Sequence, residues 1–579
     1  MFKIFMLSVI FFLINRYDAF QRENPVFHAP LDAQMGMMMH WVLDYPTKTI
    51  IFEIHLKQLK LQWFALGFSD RGNPYPADYC LLSAGWNHVD FVDSWASDEG
   101  ILHLDEKQNC EGFLIKNVNE FTKFTFRRKF DTCDENDYII EEGTTHIVWL
   151  KGEGPMTNIE GFNISNIRRE NKGMIRVSLL KNIFVESIPS YVEKLDVTVN
   201  KVTVPPVETT YWCSVRKLPK RFKKKHHIYQ FTSNIQKNSE GVVHHMEVFH
   251  CFAPANQKIP LYEGSCFASE RPLATQVCKR VLAAWAMGAG PFTYPQEASL
   301  PIGGPDFNPY IMLEVHYNNP EMLSGLVDSS GITLYVSDKL KNMDAGIMEL
   351  GLEYTDKMAI PPGQENFPLS GYCVSECTAV SLPLTGITIF GSQLHTHLTG
   401  VKVETRHFRN GQELPLLNYD NHYSTHFQEI RRLKRIVTVL PGDALVTKCD
   451  YNTEDKENIT LGGFAITDEM CVNYIHYFPA SALEVCKSSI SDQALQTYFR
   501  YMNEWEGQST SSNAISENYK AIKWNKMRTE LLREVYSESP LSMQCNMSSG
   551  ERFSGYWENT PITPILKPLP PLQRQCTKL

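Results

Sequence analysis

Fourteen cysteines stand behind an apolar N-terminal leader, and that pairing constrains the chain more than any other feature. Lys3 precedes the largely apolar run Ile4–Ile14. A membrane-spanning helix needs about 20 residues, so this run is too short to be one. Its length fits the core of a secretory signal. Ala19 suits the residue before a cleavage point, whereas Tyr17 is not the small residue expected at the −3 position. Residues 1–19 therefore read as a signal peptide or, if uncut, a signal anchor. The mature chain is expected in the secretory pathway, in a vesicle lumen or secreted. Any membrane association would be peripheral or through that anchor. In such an oxidising compartment an even cysteine count reads as disulfides rather than thiolate metal sites. The sequons at Asn163, Asn458 and Asn546 agree and are candidate glycosylation sites.

With 579 residues the chain is about four times a 150-residue domain. Its net charge of −9 argues against a nucleic-acid partner. From about residue 40 to 180, short strands such as Ile50–Leu56, Trp63–Phe68 and His146–Leu150 alternate with turn signals, the pattern of a β-sandwich. Pro205-Pro206 marks a linker, and strands resume from Tyr211 to about Pro479. The periodicity turns helical after Ser491. Leu495, Phe499 and Met502 follow an expected Asp492 N-cap, and Trp524, Met527, Leu531 and Val535 mark a second helix. The tail from Pro561 to Pro571 is proline-rich and reads as extended.

Several histidine groups could carry metal chemistry. His395 and His397 sit two apart in an apolar stretch, and residues i and i+2 of a strand share a face. The pair reads either as two metal ligands or as two surface histidines. His244-His245 and His226-His227 are adjacent. Neighbours on a flat strand face opposite sides, so each is a poor ligand pair unless the strand bulges or lies at an edge. His226-His227 also follows Arg216–Lys225, where seven of ten residues are basic; the run itself reads as a solvated loop. His316 and Met470, taken alone, read as core or edge residues. The run Met35–His40 suggests a thioether box for copper(I), but its alternation with Trp41 fits a core strand better. Gly288–Pro291 lacks the rest of a nucleotide loop and reads as a turn.

Read together, the motifs Tyr211-Trp212-Cys213, Val243–Glu247, Leu313–Tyr317, Gln393–Gly400 and Asp468–Cys471 occur in an order that resembles the copper type II, ascorbate-dependent monooxygenases. Asp344–Leu352 and Asp420–Tyr423 agree. Upstream, Phe68–Gly72 and Asp131–Asp134 are similar to a DOMON domain. The resemblance implies a mainly β protein: a DOMON β-sandwich at 25–185, two antiparallel jelly-roll copper domains at 200–350 and 351–490, and a short helical tail at 491–579 that could support dimerisation.

It further implies two copper ions per subunit, the first held by His244, His245 and His316, the second by His395, His397 and Met470. His226 and His227 match a position that is not a ligand. The implied reaction is benzylic hydroxylation of a phenylethylamine, tyramine to octopamine or dopamine to noradrenaline. L-ascorbate and O2 are co-substrates. Tyr211 and His395 match active-site positions. Glu247 and Glu349 match positions proposed to hold the substrate ammonium, and Tyr474 is expected to line the pocket. Gln393 stands where peptide-amidating relatives carry a carboxylate-binding arginine, which disfavours a peptide substrate.

The family pattern pairs Cys213–Cys266, Cys251–Cys278, Cys449–Cys471, Cys373–Cys486, Cys377–Cys545 and Cys133–Cys576, leaving Cys80 and Cys110 as a candidate seventh pair. Residues 504–513 lack the intersubunit cysteines of vertebrate members, so the expected dimer or tetramer would not be covalently linked there. Asp78, Ser94 and Asn109 match a suspected cation site. The rivals are a monooxygenase of the same family acting on another hydrophobic amine, and a catalytically silent lumenal copper- or haem-binding protein.

Overall fold

Alternating apolar and polar residues build the first unit as two facing sheets. The computed structural model describes residues 26–570, except 33–35, 58–61, 85–88, 119, 155, 157, 182–186, 320 and 510–511, together with Arg574 and Cys576. The leader and its cleavage point lie outside these residues. In the five-stranded sheet the order is Phe27–Pro30, Met37–Asp44, Thr49–Lys57, Phe121–Lys129 and Glu111–Val118. A six-stranded sheet faces it, with Thr145–Glu153 and Gln62–Ser69 among its central strands. Met37, Met39, Trp41, Phe52 and Ile54 bury one strand face against Phe64, Phe68 and Ile147. Met37 and Met39 are therefore core, while Met38 takes the outer face opposite His55 and Met35 is undescribed. Trp41 and Trp149 donate their indole N–H to the carbonyls of Leu179 (2.9 Å) and Leu31 (2.8 Å), as buried indoles usually do. The end of the chain returns to this unit: Cys576 bonds Cys133, and Arg574 pairs with Asp131 at 2.7 Å.

The second unit runs to residue 570 and holds two double-sheet bodies. In the first, the five-stranded sheet places Val243–Cys251 between Tyr310–Asn318 and Cys278–Ala286. In the second, a six-stranded sheet orders Arg431–Val439, Ile387–His395, Val472–Phe478, Gly346–Leu352, Leu483–Ile490 and Leu541–Met547. Pairing is antiparallel except between Gly346–Leu352 and Leu483–Ile490 and between Ala298–Ile302 and Met343–Asp344. The last strand of that sheet comes from beyond the helices, so the region after 491 is only partly helical.

Helix Asp492–Glu504 buries Leu495, Phe499 and Met502, the expected face. Its cap is Ser491 rather than Asp492. Ser491 has extended backbone and its Oγ accepts from the Ala494 N–H at 3.2 Å, while Asp492 is already in the first turn, where its charge suits the helix dipole. Helix Lys526–Glu538 starts after Trp524 and packs through Leu531, Leu532 and Val535. Met527 points away and is 62% exposed. Helices Ser375–Ser381 and Ile515–Ala521 were not expected from the sequence; at seven residues each they are too short to show a clear period. The fourteen cysteines form seven disulfides, the six pairs above and Cys80–Cys110. No helix among the described residues is long and apolar enough to cross a membrane.

Candidate metal centres

A break in strand register creates the first histidine set. Between Val243–Cys251 and Tyr310–Asn318, Val243 opposes Tyr317 and His245 opposes His316, so the register shifts by one residue at His244. Such a bulge re-aims a side chain and removes the objection to adjacent histidines as ligands. The Nδ1 atoms of His244 and His245 lie 3.1 Å apart, and those of His245 and His316 3.2 Å apart. One nitrogen from each of the three residues lies within 4.8 Å of the other two. Burial, then the neighbouring imidazole of His244, pushes His316 down to about 3; burial and the surrounding imidazoles hold His245 far below its ordinary value. Neutral imidazoles whose nitrogens converge cannot all satisfy one another with protons, whereas a metal ion accepts every lone pair. The donor set therefore fits copper. Tyr211 opposes His316 across the sheet and stacks on its ring, with centroids 4.4 Å apart and planes 3° apart.

The second set is assembled differently from the expectation. The strand ends at His395, and His397 lies in the bend beyond it. Their proximity, with ring centroids 5.2 Å apart and planes at 89°, is therefore not the i, i+2 alternation of a strand. The fully buried carboxylate of Glu469 shapes the bend. Its Oε2 accepts from the backbone N–H groups of His397 (2.9 Å) and Met470 (3.1 Å); its Oε1 accepts from the N–H (2.6 Å) and hydroxyl (2.8 Å) of Thr399. One oxygen thus ties the thioether-bearing residue to the second imidazole. Burial raises the Glu469 acid to about 7 in spite of these four donors. Beneath this segment, Gly351 has φ +139° and a Cβ there would stand 2.0 Å from the Cys471 carbonyl oxygen, so only glycine admits the approach.

Hydrogen bonds also fix the tautomers. His397 Nδ1 lies 3.0 Å from the Asp468 carbonyl, which can only accept. His395 Nδ1 meets Gln428 Oε1, and Gln428 Nε2 donates to the Thr425 carbonyl at 2.7 Å, which orients the amide. Both Nδ1 atoms therefore carry the proton and both Nε2 atoms the lone pair, the arrangement typical of metal-ligating histidines. Two neutral nitrogens and a thioether fit a copper ion that cycles through copper(I).

The two sets lie near one another. His395 and His397 are among the groups that act electrostatically on His245, and the His426 ring, on the segment that carries Gln428, lies 5.8 Å from that of His244. Gln393, Tyr474 and Glu349 form one cross-strand row on the His395 face, with the Tyr474 and His395 rings 6.2 Å apart. Glu349 is engaged: Lys487, itself nearly fully buried, pairs with it, and the Tyr354 hydroxyl donates to it at 3.2 Å. Tyr354 also contacts the Tyr474 hydroxyl at 3.4 Å. Glu247, two residues beyond His245, directly opposes Glu314. Burial, then Glu314 and Glu349, raises its acid to about 8, and no cation is among the groups acting on it.

The remaining residues singled out in the sequence lie elsewhere. His227 bridges Asp344 (2.8 Å) and the Lys341 N–H (3.0 Å), and His226 contacts the Lys224 carbonyl. The basic run forms a short 3-10 turn at Lys220–Lys223, and its Lys225 pairs with Asp344. In the first unit Asp78 pairs with the buried Arg128, the Ser94 hydroxyl donates to the Tyr79 carbonyl, and Asn109 donates to Asp137 at 2.9 Å. Sequence reading missed the roles of Glu469, Gln428 and Lys487. Glu469 lay inside a recognised motif; the other two carried no local signal.

Comparison with known proteins places this geometry. The copper type II ascorbate-dependent monooxygenase N-terminal domain matches residues 195–324, its C-terminal domain residues 343–499, and a DOMON domain residues 34–152. The chain is 43% identical over 578 residues to dopamine beta-hydroxylase of Homo sapiens, covering 98% of this chain and 93% of that protein. It is 38% identical over 532 residues to tyramine beta-hydroxylase of Caenorhabditis briggsae, covering 90% and 87%. It is 31% identical over 503 residues to DBH-like monooxygenase protein 1 of Gallus gallus, covering 84% and 79%.

Proposed function

The chain belongs to the copper type II ascorbate-dependent monooxygenase family, and from that premise we propose that it hydroxylates the benzylic β-carbon of a phenylethylamine such as tyramine or dopamine. The carrying observation is the co-occurrence of two dissimilar donor sets, three converging imidazoles in one and two imidazoles tied to Met470 in the other, with the carboxyl groups of Glu314 and Glu349 close enough to act on that of Glu247. In the overall reaction two ascorbates give one electron each, one oxygen atom of O2 enters the product and the other leaves as water.

We assign one copper to His244, His245 and His316 and the other to His395, His397 and Met470. Copper at these sets supplies one-electron redox chemistry and the reduction of O2. The protein's own part is positional. Glu469 and Gln428 hold the second donor set in one tautomer and one spacing. Tyr211 braces His316 by stacking. The substrate ammonium needs an acidic partner in a dry cleft. Of the two carboxylates expected to serve, Glu349 already has Lys487 and Tyr354, whereas Glu247 faces only like charge. Glu247 is therefore assigned the ammonium, with Tyr474 beside the substrate's aromatic ring. The amine's cation would relieve the repulsion between Glu247 and Glu314.

We further assign the protein to a secretory-vesicle lumen or the extracellular space, in keeping with seven disulfides. Self-association would use the helical region, where Trp505 is 77% exposed and Tyr501 is also uncovered. The deciding assay gives the purified protein copper, ascorbate and O2 with tyramine, dopamine or a glycine-extended peptide. Hydroxylation of an amine but not the peptide is expected. Copper-loaded protein that hydroxylates neither amine refutes the reading.

A further inference from the structure

Three histidines gather on the first unit, outside both sets described above. His28 directly opposes His40 where Phe27–Pro30 pairs with Met37–Asp44. His40 in turn opposes Glu53 on Thr49–Lys57, and His55 follows Glu53 by two residues on the same face. The alternate residues Met39, Trp41, Phe52 and Ile54 are buried in the sandwich core, so strand alternation places His28, His40, Glu53 and His55 together on the outer face. Three adjacent strands thus each contribute one imidazole to one patch.

The ring centroids of His40 and His55 are 4.3 Å apart, and those of His28 and His40 are 6.0 Å apart. In the first copper set the corresponding separations are 4.6 Å for His245 and His316 and 5.4 Å for His244 and His245. The spacing brackets that of an imidazole cluster fit for a metal. Glu53 adds a supporting feature: its Oε1 lies 2.5 Å from His55 Nε2, and the His55 and Glu53 side chains are only 17% and 20% exposed. A carboxylate accepting from one ring nitrogen leaves the lone pair on the other and raises its basicity. Lys123 lies 3.9 Å from the same oxygen and partly offsets the charge of Glu53; it also directly opposes His55, so a bound ion would share the patch with one ammonium group.

We propose that His28, His40 and His55 form a third metal site, on the DOMON domain, for a divalent ion that prefers imidazole, with Glu53 as the orienting partner of His55. Among such ions copper(II) binds nitrogen sites most tightly and is the probe of choice. Full-length apoprotein is titrated with copper(II) chloride, desalted and assayed for bound copper, with electron paramagnetic resonance of the loaded protein. Wild type is expected to retain one more copper per chain than His40→Ala/His55→Ala, while amine hydroxylation is unchanged. Glu53→Gln, a milder change, is expected to weaken that additional site roughly 10- to 100-fold. Equal copper content and identical spectra in wild type and both variants overturn the proposal. Because the readout is metal content, it stands apart from whether either amine is a substrate.

Discussion

The first donor set is shaped by the sheet itself, through a one-residue register shift at His244 and a stacked tyrosine; the second is shaped by side chains that reach it from afar. Glu469 comes from 70 or more positions along the chain from the backbone groups it binds around His397 and Thr399, and Gln428 from 33 positions beyond His395. The first therefore resists single changes in its surroundings, because a sheet of five strands enforces it. The second depends on a few hydrogen bonds, each removable alone. A site that must bind oxygen and substrate needs close control of ligand orientation, and buried hydrogen bonds supply it.

This contrast can be broken experimentally. The largest effect is expected from Glu469→Ala. Four donors lose their acceptor in a buried bend, at a cost on the order of 3 kcal/mol or more. Chemical denaturation should show that loss, and copper at the second set should go with it, while the first set keeps its ion. Equal loss at both sets would mean that the two are not independent. Next, Gln428→Leu frees the His395 tautomer without disturbing the fold, and kcat/KM should fall roughly 10- to 100-fold. Unchanged kinetics would remove Gln428 from the account.

Glu247→Gln and Glu349→Gln sharpen the assignment of the cleft. A charged hydrogen bond is worth about 1.5–3 kcal/mol, so Glu247→Gln should raise the amine KM roughly tenfold or more. Glu349→Gln should alter it less, and the reverse order would transfer the ammonium to Glu349. The last effect leaves the metal centres alone and concerns the second body's acid stability. Asp443 is buried, which opposes its charge, but Arg409, His407 and the Leu440 N–H outweigh burial and hold its acid at about 2. A depressed carboxyl stabilises the fold above its unfolded value and loses that contribution as pH falls through about 2. Asp443→Asn should therefore cost about 2 kcal/mol at pH 6 and progressively less below pH 4. A pH-independent cost, measured by denaturant titration, would refute the linkage.

Much of the architecture was legible because strand alternation and turn residues are local. The core role of Met37 and Met39 followed from period alone, as did the buried face Leu495, Phe499 and Met502. The histidine motifs were readable as groups, but their geometry was not. A bulge at His244 depends on how two strands 70 residues apart settle their register, and no residue near His244 announces it. His397 reads as a strand residue until the buried Glu469 is known to bend the chain. The cap moved by one residue, to Ser491, because serine and aspartate are both good caps and only the backbone decides between them. Lys487 carried no signal because its partner Glu349 lies on a neighbouring strand far away in sequence.

The central claim is that one donor set contains sulfur and the other only imidazole. X-ray absorption on the reduced, copper-loaded protein tests it, with Met470→Ala beside wild type. The account predicts a copper–sulfur shell in wild type that vanishes in the variant, together with all turnover, while the histidine shell and the His244, His245 and His316 copper persist. A sulfur shell that survives Met470→Ala, or a variant that loses copper from both sets, would contradict it.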